Sequence, residues 1–230
     1  MKNRTIVKSI IVSAALLPAA AMAQFSANIG WVSEYVFRGL YQFESSASAG
    51  FDYESDGAIG FYAGTWGADV GDGMEIDLYA GLGGGGDSFS WSVGVTDYEY
   101  TGGFDTGYEE VNLGIGAGIF SLDVAIGSHT GDPGQPDPDY EFVSVTIAPE
   151  GWPTFTYGAW GNDFAGEYLE LGYSYDFMGV DLSIGLIYGI DLEDAAAEEA
   201  RGKEFYVGPN PFGDEWQIVF GISKSFDIGS

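Results

Sequence analysis

Ser90-Trp91-Ser92-Val93-Gly94-Val95-Thr96 alternates small or polar side chains with apolar ones at every second position. Glu75-Ile76-Asp77-Leu78-Tyr79-Ala80-Gly81-Leu82 does the same. Successive side chains of a β-strand project to opposite faces, so each stretch builds one apolar and one polar face. The pattern recurs about twelve times, in runs of about ten residues separated by turn residues. The runs fall at approximately 25–38, 46–55, 58–67, 74–83, 88–97, 109–118, 120–129, 140–148, 154–160, 167–176, 180–190 and 214–226.

The apolar faces read off directly. The first run offers Phe25, Ala27, Ile29, Trp31, Tyr35 and Phe37, and the fifth Phe89, Trp91, Val93 and Val95. The sixth offers Val111, Leu113, Ile115, Ala117 and Ile119, and the eleventh Val180, Leu182, Ile184, Leu186, Tyr188 and Ile190. The last offers Trp216, Ile218, Phe220, Ile222 and Phe226. The opposite faces carry Ser, Thr, Gly, Asn, Asp and Glu. A soluble β-sandwich also alternates, but its apolar faces pack on a second sheet and need no aromatics at the strand ends. Aromatic strand ends behind a secretion signal point to an all-β fold, a transmembrane antiparallel up-and-down β-barrel of about twelve strands.

The N-terminal segment supplies that signal. Lys2, Arg4 and Lys8 form a basic start, Ile10 to Leu17 a short apolar run, and Ala21-Met22-Ala23 a cleavage-type motif. The apolar run is shorter than the roughly 20 residues a spanning helix needs. A secretory signal over residues 1–23 is therefore expected, with one barrel domain over 24–230. With no cysteine in the chain, neither a lipidated cysteine nor a disulfide framework is available.

The chain of 230 residues has a formal net charge of −28. Beyond the leader only Arg38, Arg201, Lys203 and Lys224 are positive. Such a field repels nucleic acid and attracts cations. A saline habitat also selects acidic surfaces, and the acids load the loops and the polar faces alike.

Connection lengths alternate. Those after even-numbered runs are short: Ser55-Asp56-Gly57, Gly83 to Asp87, Pro149 to Pro153, Asp176 to Gly179. Those after odd-numbered runs are mostly longer: Ala68 to Gly73, Asp97 to Tyr108, Thr130 to Asp139, Asp191 to Gly213. Outer-membrane barrels have short periplasmic turns and long external loops, so both termini are expected in the periplasm of a Gram-negative cell.

Three segments carry a family resemblance. Trp31-Val32-Ser33-Glu34-Tyr35-Val36-Phe37-Arg38-Gly39, Gly60-Phe61-Tyr62-Ala63-Gly64-Thr65-Trp66-Gly67-Ala68 and Glu75-Ile76-Asp77-Leu78-Tyr79-Ala80-Gly81 stand in order over about the first third of the chain. Together they resemble the opening strands of the TorF family of porin-like proteins, a Gcw-type group of uncharacterised bacterial outer-membrane proteins. The resemblance implies an outer-membrane barrel of unsettled substrate and brings no catalytic residues with it. One departure from outer-membrane barrels in general stands at the C-terminus, where Phe226 is followed by Asp227-Ile228-Gly229-Ser230 instead of ending the chain.

Function in a barrel resides in its lumen. Strand parity, with Arg38 at the end of the first run, puts Glu34, Arg38, Asp52, Glu54, Glu75, Asp77, Asp123, Glu170, Asp181 and Glu215 inside. A carboxylate facing lipid costs about 2–4 kcal/mol or less depending on depth, so the inner placement is the physical default. Twelve strands give a diameter between a packed eight-stranded barrel and an open sixteen-stranded porin. Carboxylates along such a path select cations. The expectation is passive diffusion of small cationic or neutral solutes, with outer-membrane lipid as the surroundings and no cofactor. The alternative is a plugged structural or adhesion barrel acting through loops 97–108, 130–139 and 191–213.

Arg38 is expected to pair with Glu34, Asp52 or Glu54 as a strut or a constriction charge, because a buried unpaired guanidinium is costly. His129, with Ser128 and Asp132 or Glu141, has the composition of a hydrolase triad. Consecutive strand residues face opposite ways, so the chain is not expected to be an enzyme. Asp132, Asp137 and Asp139 offer oxygen ligands for Ca²⁺ but lack EF-hand spacing, so a proline-stiffened solvated loop is the plainer reading. Glu193 to Lys203 places acids before cations in good helix formers, as a short loop helix would. Gly83-Gly84-Gly85-Gly86 lacks the Lys-Ser/Thr partner of a phosphate loop and reads as a turn.

Overall fold

The computed structural model describes residues 24–86, 88–130, 137–193 and 216–228. The expected secretory signal, Asp132, Glu215 and most of the expected helix over 193–203 lie outside the described residues.

Twelve antiparallel strands close into one barrel: β1 (Gln24–Phe37), β2 (Leu40–Glu54), β3 (Ile59–Asp69), β4 (Met74–Gly86), β5 (Phe89–Tyr100), β6 (Gly107–Ala117), β7 (Phe120–His129), β8 (Asp139–Ile147), β9 (Thr154–Asn162), β10 (Ala165–Phe177), β11 (Val180–Glu193) and β12 (Trp216–Asp227). Each strand pairs with its chain neighbours, and β1 closes the ring on β12 through Ser26↔Asp227 to Val32↔Gly221. Closure leaves no sheet edge, the condition a β-structure must meet in hydrocarbon.

The apolar faces point outward. Ile29, Leu78, Val95, Val111, Leu113, Ile126 and Ile184 are among many large apolar side chains on the outer surface. Val95 is 54% exposed, a state that water disfavours and lipid does not. Phe25, Phe61, Phe89, Phe120, Phe155, Phe177 and Phe226 are exposed at the barrel end that carries the termini. Aromatic girdles of this kind sit at membrane–water boundaries.

The strands run longer than the alternation alone delimits. β2 begins at Leu40 instead of residue 46, so β1 and β2 join through a two-residue turn at Arg38-Gly39. β9 and β10 are also joined tightly, at 163–164. The expected loop asymmetry is therefore partial: 70–73 is no longer than 55–58 and 101–106 no longer than 148–153, and the connections that exceed all those at the terminus-bearing end are 130–138 and 194–215. The departure at β1–β2 has a structural reason. The hairpin tip does not continue outward into solvent; it folds across the barrel mouth.

Candidate functional site

The turn that folds inward is built from unusual backbone. The β1–β2 register shifts between Tyr35 and Val36, and Arg38 and Gly39 both have positive φ, 49° and 87°. At Gly39 a Cβ would stand 2.8 Å from the Tyr168 ring, so glycine serves both the turn and the close approach. Past Val32, where the pairing of β1 with β12 ends, side chains of both parities from Tyr35 to Arg38 meet inner residues. Tyr35 and Phe37, expected on the lipid face, point inside: Tyr35 is buried and Phe37 packs at 5.7 Å on Tyr98 of β5.

The tip reaches the far wall of the barrel. The Arg38 guanidinium donates two hydrogen bonds to Glu110 of β6, at 2.5 Å to Oε2 and 2.8 Å to Oε1. It also lies 4.5 Å from the ring centre of Phe142 on β8. Trp160 of β9 donates from Nε1 to the Arg38 carbonyl at 3.1 Å. Val36 packs against a cluster of Ala125, Phe142, Tyr168 and Ile187, contributed by β7, β8, β10 and β11. A hairpin from one side thus touches the opposite half of the ring. The expected pairing of Arg38 with Glu34, Asp52 or Glu54 is corrected to Glu110. The inward bend carries the guanidinium away from β2, and a forked donor meets a forked acceptor across the lumen.

The inner carboxylates of this level are held by tyrosines. Tyr35 and Tyr100 donate to Glu75, the latter at 2.8 Å. Tyr98 and Tyr140 donate to Glu110 at 3.2 and 2.9 Å. Asn112 donates to Glu110 as well. Toward the terminus-bearing end, Tyr79 and Asn28 donate to Asp52 in the same way. Asp77, buried beside this group, keeps one carboxylate oxygen without a partner, as do Glu34 Oε2 and Arg38 Nε. Buried charges persist only where donors or opposite charges face them. The phenol hydroxyls and Arg38 supply both.

Strand facing puts the remaining inward candidates along the wall. Glu54 and Asp181 stand toward the end carrying the termini, and Asp123 and Glu170 sit deeper, past the tip. Around the latter pair the inward positions include Ser92, Gly114, Ser144, Thr146, Thr156 and Gly172, small or neutral side chains of which Ser144, Thr146 and Thr156 are buried. The lumen therefore has two zones, a level packed by the hairpin tip at the loop-bearing end and a stretch lined by small polar side chains behind it.

Above the hairpin, at the loop end, lies a cup of about 30 Å³ between the tip and a wall of aromatic rings. Phe37, Tyr98, Tyr100, Tyr108, Tyr140, Trp160 and Phe164 line it, with Leu40, Gln42 and Asp105. Asp105 comes from the β5–β6 connection. It accepts from Tyr108 at 2.7 Å through Oδ2 and contacts His129 Nε2 at 2.9 Å through Oδ1. His129 Nε2 also lies 2.9 Å from the Thr106 hydroxyl. Ser128 pairs in the ladder with Glu109 and Asp139 and faces the other side of the sheet. The Ser128–His129 pair thus does not share a face. Among the described residues no group of three or more metal-ligating side chains forms. Asp139, exposed, donates its backbone N–H to Asp163 Oδ2 at 3.0 Å.

Sequence reasoning missed Glu110 and the whole aromatic cup. The signal for Glu110 was present: with Val111, Leu113 and Ile115 outward, parity sends Glu110 inward.

Residues 17–186 match the family described as "Bacterial protein of unknown function (Gcw_chp)". No curated protein matches the chain. In fold the chain is similar to a solved structure from a study of the mechanism behind the in-meso crystallization of membrane proteins. The TM-score is 0.61 at 10% identity, over 89% of this chain and 83% of that one. OmpT, an outer membrane protein of Vibrio cholerae (in-vitro folded, trimer form), matches with TM-score 0.36 at 11% identity, over 91% of this chain and 100% of that one. OccK11 (OpdR) of Pseudomonas aeruginosa matches with TM-score 0.30 at 12% identity, over 90% and 96%. At such identities the likeness bears on fold alone.

Proposed function

The chain belongs to the Gcw_chp family of bacterial proteins of unknown function, and we propose that it is a porin-like outer-membrane channel for small cationic or neutral solutes. In this reading the channel is closed at its loop end by the β1–β2 hairpin. One observation carries the proposal: a hairpin tip, tied to the far wall by the two-point Arg38–Glu110 ion pair, crosses the lumen at its loop end, ahead of a stretch lined by small polar side chains. A barrel meant only as a membrane staple has no need of a polar-lined bore beneath a folded-in tip, whereas a transport path does.

The likeness of its opening strands to TorF-family porins supports the same reading. Residues 1–23 have the pattern of a secretory signal, which supports export. The girdle of phenylalanines at the terminus-bearing end and the longer loops opposite support periplasmic termini. Glu75, Glu110 and Asp105, each accepting from tyrosine hydroxyls, outnumber Arg38 at the narrow level, which favours cations there.

The burial of that level also favours a second reading, a permanently closed barrel acting through its loops. Liposome swelling separates the two. Vesicles holding the protein are expected to swell slowly in arabinose and faster once Arg38→Met frees the tip. Salts of small organic cations are expected to enter ahead of salts of organic anions of equal size. No swelling from either folded form would overturn the channel and leave the closed barrel.

A further inference from the structure

We infer that the aromatic cup at the loop end is a binding site for a small alkylammonium cation. The inference rests on the cup being the entrance of the channel proposed above.

The rings form a continuous wall. Tyr98 and Tyr108 meet edge to face at 6.4 Å, Tyr108 and Tyr140 at 6.0 Å, and Tyr140 and Phe164 at 5.1 Å. Trp160 stacks on Phe164 at 5.7 Å. Each tyrosine of the wall donates its hydroxyl to a carboxylate: Tyr98 and Tyr140 to Glu110, Tyr100 to Glu75, Tyr108 to Asp105. A phenol that donates to an anion is polarised toward more negative charge on its ring, and the negative face of a ring attracts cations. Rings therefore stand in front, with carboxylates joined to their hydroxyls.

Committed polar groups narrow the ligand class. Asp105 Oδ2 takes the Tyr108 hydroxyl, while Oδ1 takes the Thr106 N–H and contacts His129. The Gln42 amide donates to the Leu40 carbonyl. A sugar, which needs donors and acceptors for several hydroxyls, finds few here. A bare divalent cation needs several oxygen ligands and meets mostly ring faces. An organic ammonium group, cationic and partly apolar, matches ring faces with acids behind them. The Arg38 guanidinium, its charge matched by Glu110, already lies over the Phe37 and Trp160 rings at 4.7 and 5.7 Å, so the ammonium group would meet the tyrosine rings and Phe164, with Asp105 and Glu75 as the acids joined to them. The space of about 30 Å³ suits a head group of a few heavy atoms, the rest of the ligand lying toward the open side.

Saturation-transfer NMR on the full barrel in detergent micelles tests the site, with ethylammonium and ethanol as probes of equal heavy-atom count. The expected result is transfer to ethylammonium at least fivefold above ethanol. Phe164→Leu removes one ring without touching a carboxylate or the hairpin, and affinity is expected to fall about two- to fivefold. Should that variant not fold, Tyr108→Leu is measured instead, with the same expectation. Equal transfer to both probes, or unchanged ethylammonium transfer in a folded variant, would overturn the site. Because no current is recorded, a barrel that binds without conducting refutes only the channel. One that conducts without binding refutes only the cup.

Discussion

Arg38→Met keeps the length of the side chain and removes its charge. The pair it breaks is fully buried: Glu110 has 0% and Arg38 8% side-chain exposure, joined by contacts of 2.5 and 2.8 Å. Removing one partner of a buried ion pair costs about 3–5 kcal/mol, because the remaining charge is left uncompensated. The barrel ladder does not run through this pair, so the loss falls on the seating of the hairpin. It corresponds to about a 10²- to 10³·⁵-fold shift between seated and released tips. The chain has no cysteine, so a single Val36→Cys provides a clean reporter. Val36 is packed on the Ala125–Phe142–Tyr168 cluster when the tip is seated. Maleimide labelling at this position is expected to accelerate at least a hundredfold when Arg38→Met is added. Adding Glu110→Gln as well removes the orphaned charge while leaving an acceptor for Tyr98 and Tyr140, so labelling is expected to slow again. Labelling that is equally fast in all three backgrounds would refute the claim that the ion pair holds the tip.

Gly39→Val places a side chain where the Tyr168 ring stands, at a φ of +87°, and is expected to unseat the tip at a cost of about 1–3 kcal/mol, read by the same labelling. Tyr35→Phe leaves Glu75 with the Tyr100 hydroxyl and is expected to lower the stability read by urea unfolding by about 1–3 kcal/mol. Leu113→Arg on the lipid face is expected to lose about 2–4 kcal/mol in membrane refolding, whereas Asn112→Arg, one residue away but facing the lumen, is expected to lose less; equal losses would argue against a membrane-spanning band.

The barrel was legible because its two faces meet different solvents. Lipid demands an apolar side chain at each outward position, so Phe89–Val95, Val111–Ala117 and Val180–Leu186 display the period of two without interruption. That pressure ends where the chain leaves the membrane. Tyr35 and Phe37 keep the odd spacing of lipid-facing residues but contact Glu75 and Tyr98 inside. Nothing in alternation marks the register shift at Tyr35/Val36 or the positive φ of Arg38, since the bend is set by contacts with strands far along the chain. Glu110 was readable by parity, but its partnership with Arg38 joins residues 72 positions apart, a distance no local pattern encodes.

Single-channel recording in a planar bilayer under a salt gradient tests the central claim most directly. The account predicts rare openings from the wild-type barrel, frequent openings from Arg38→Met, and a reversal potential of cationic sign in both. Silence from a folded Arg38→Met barrel whose tip labels rapidly, or an anionic reversal potential, would contradict it.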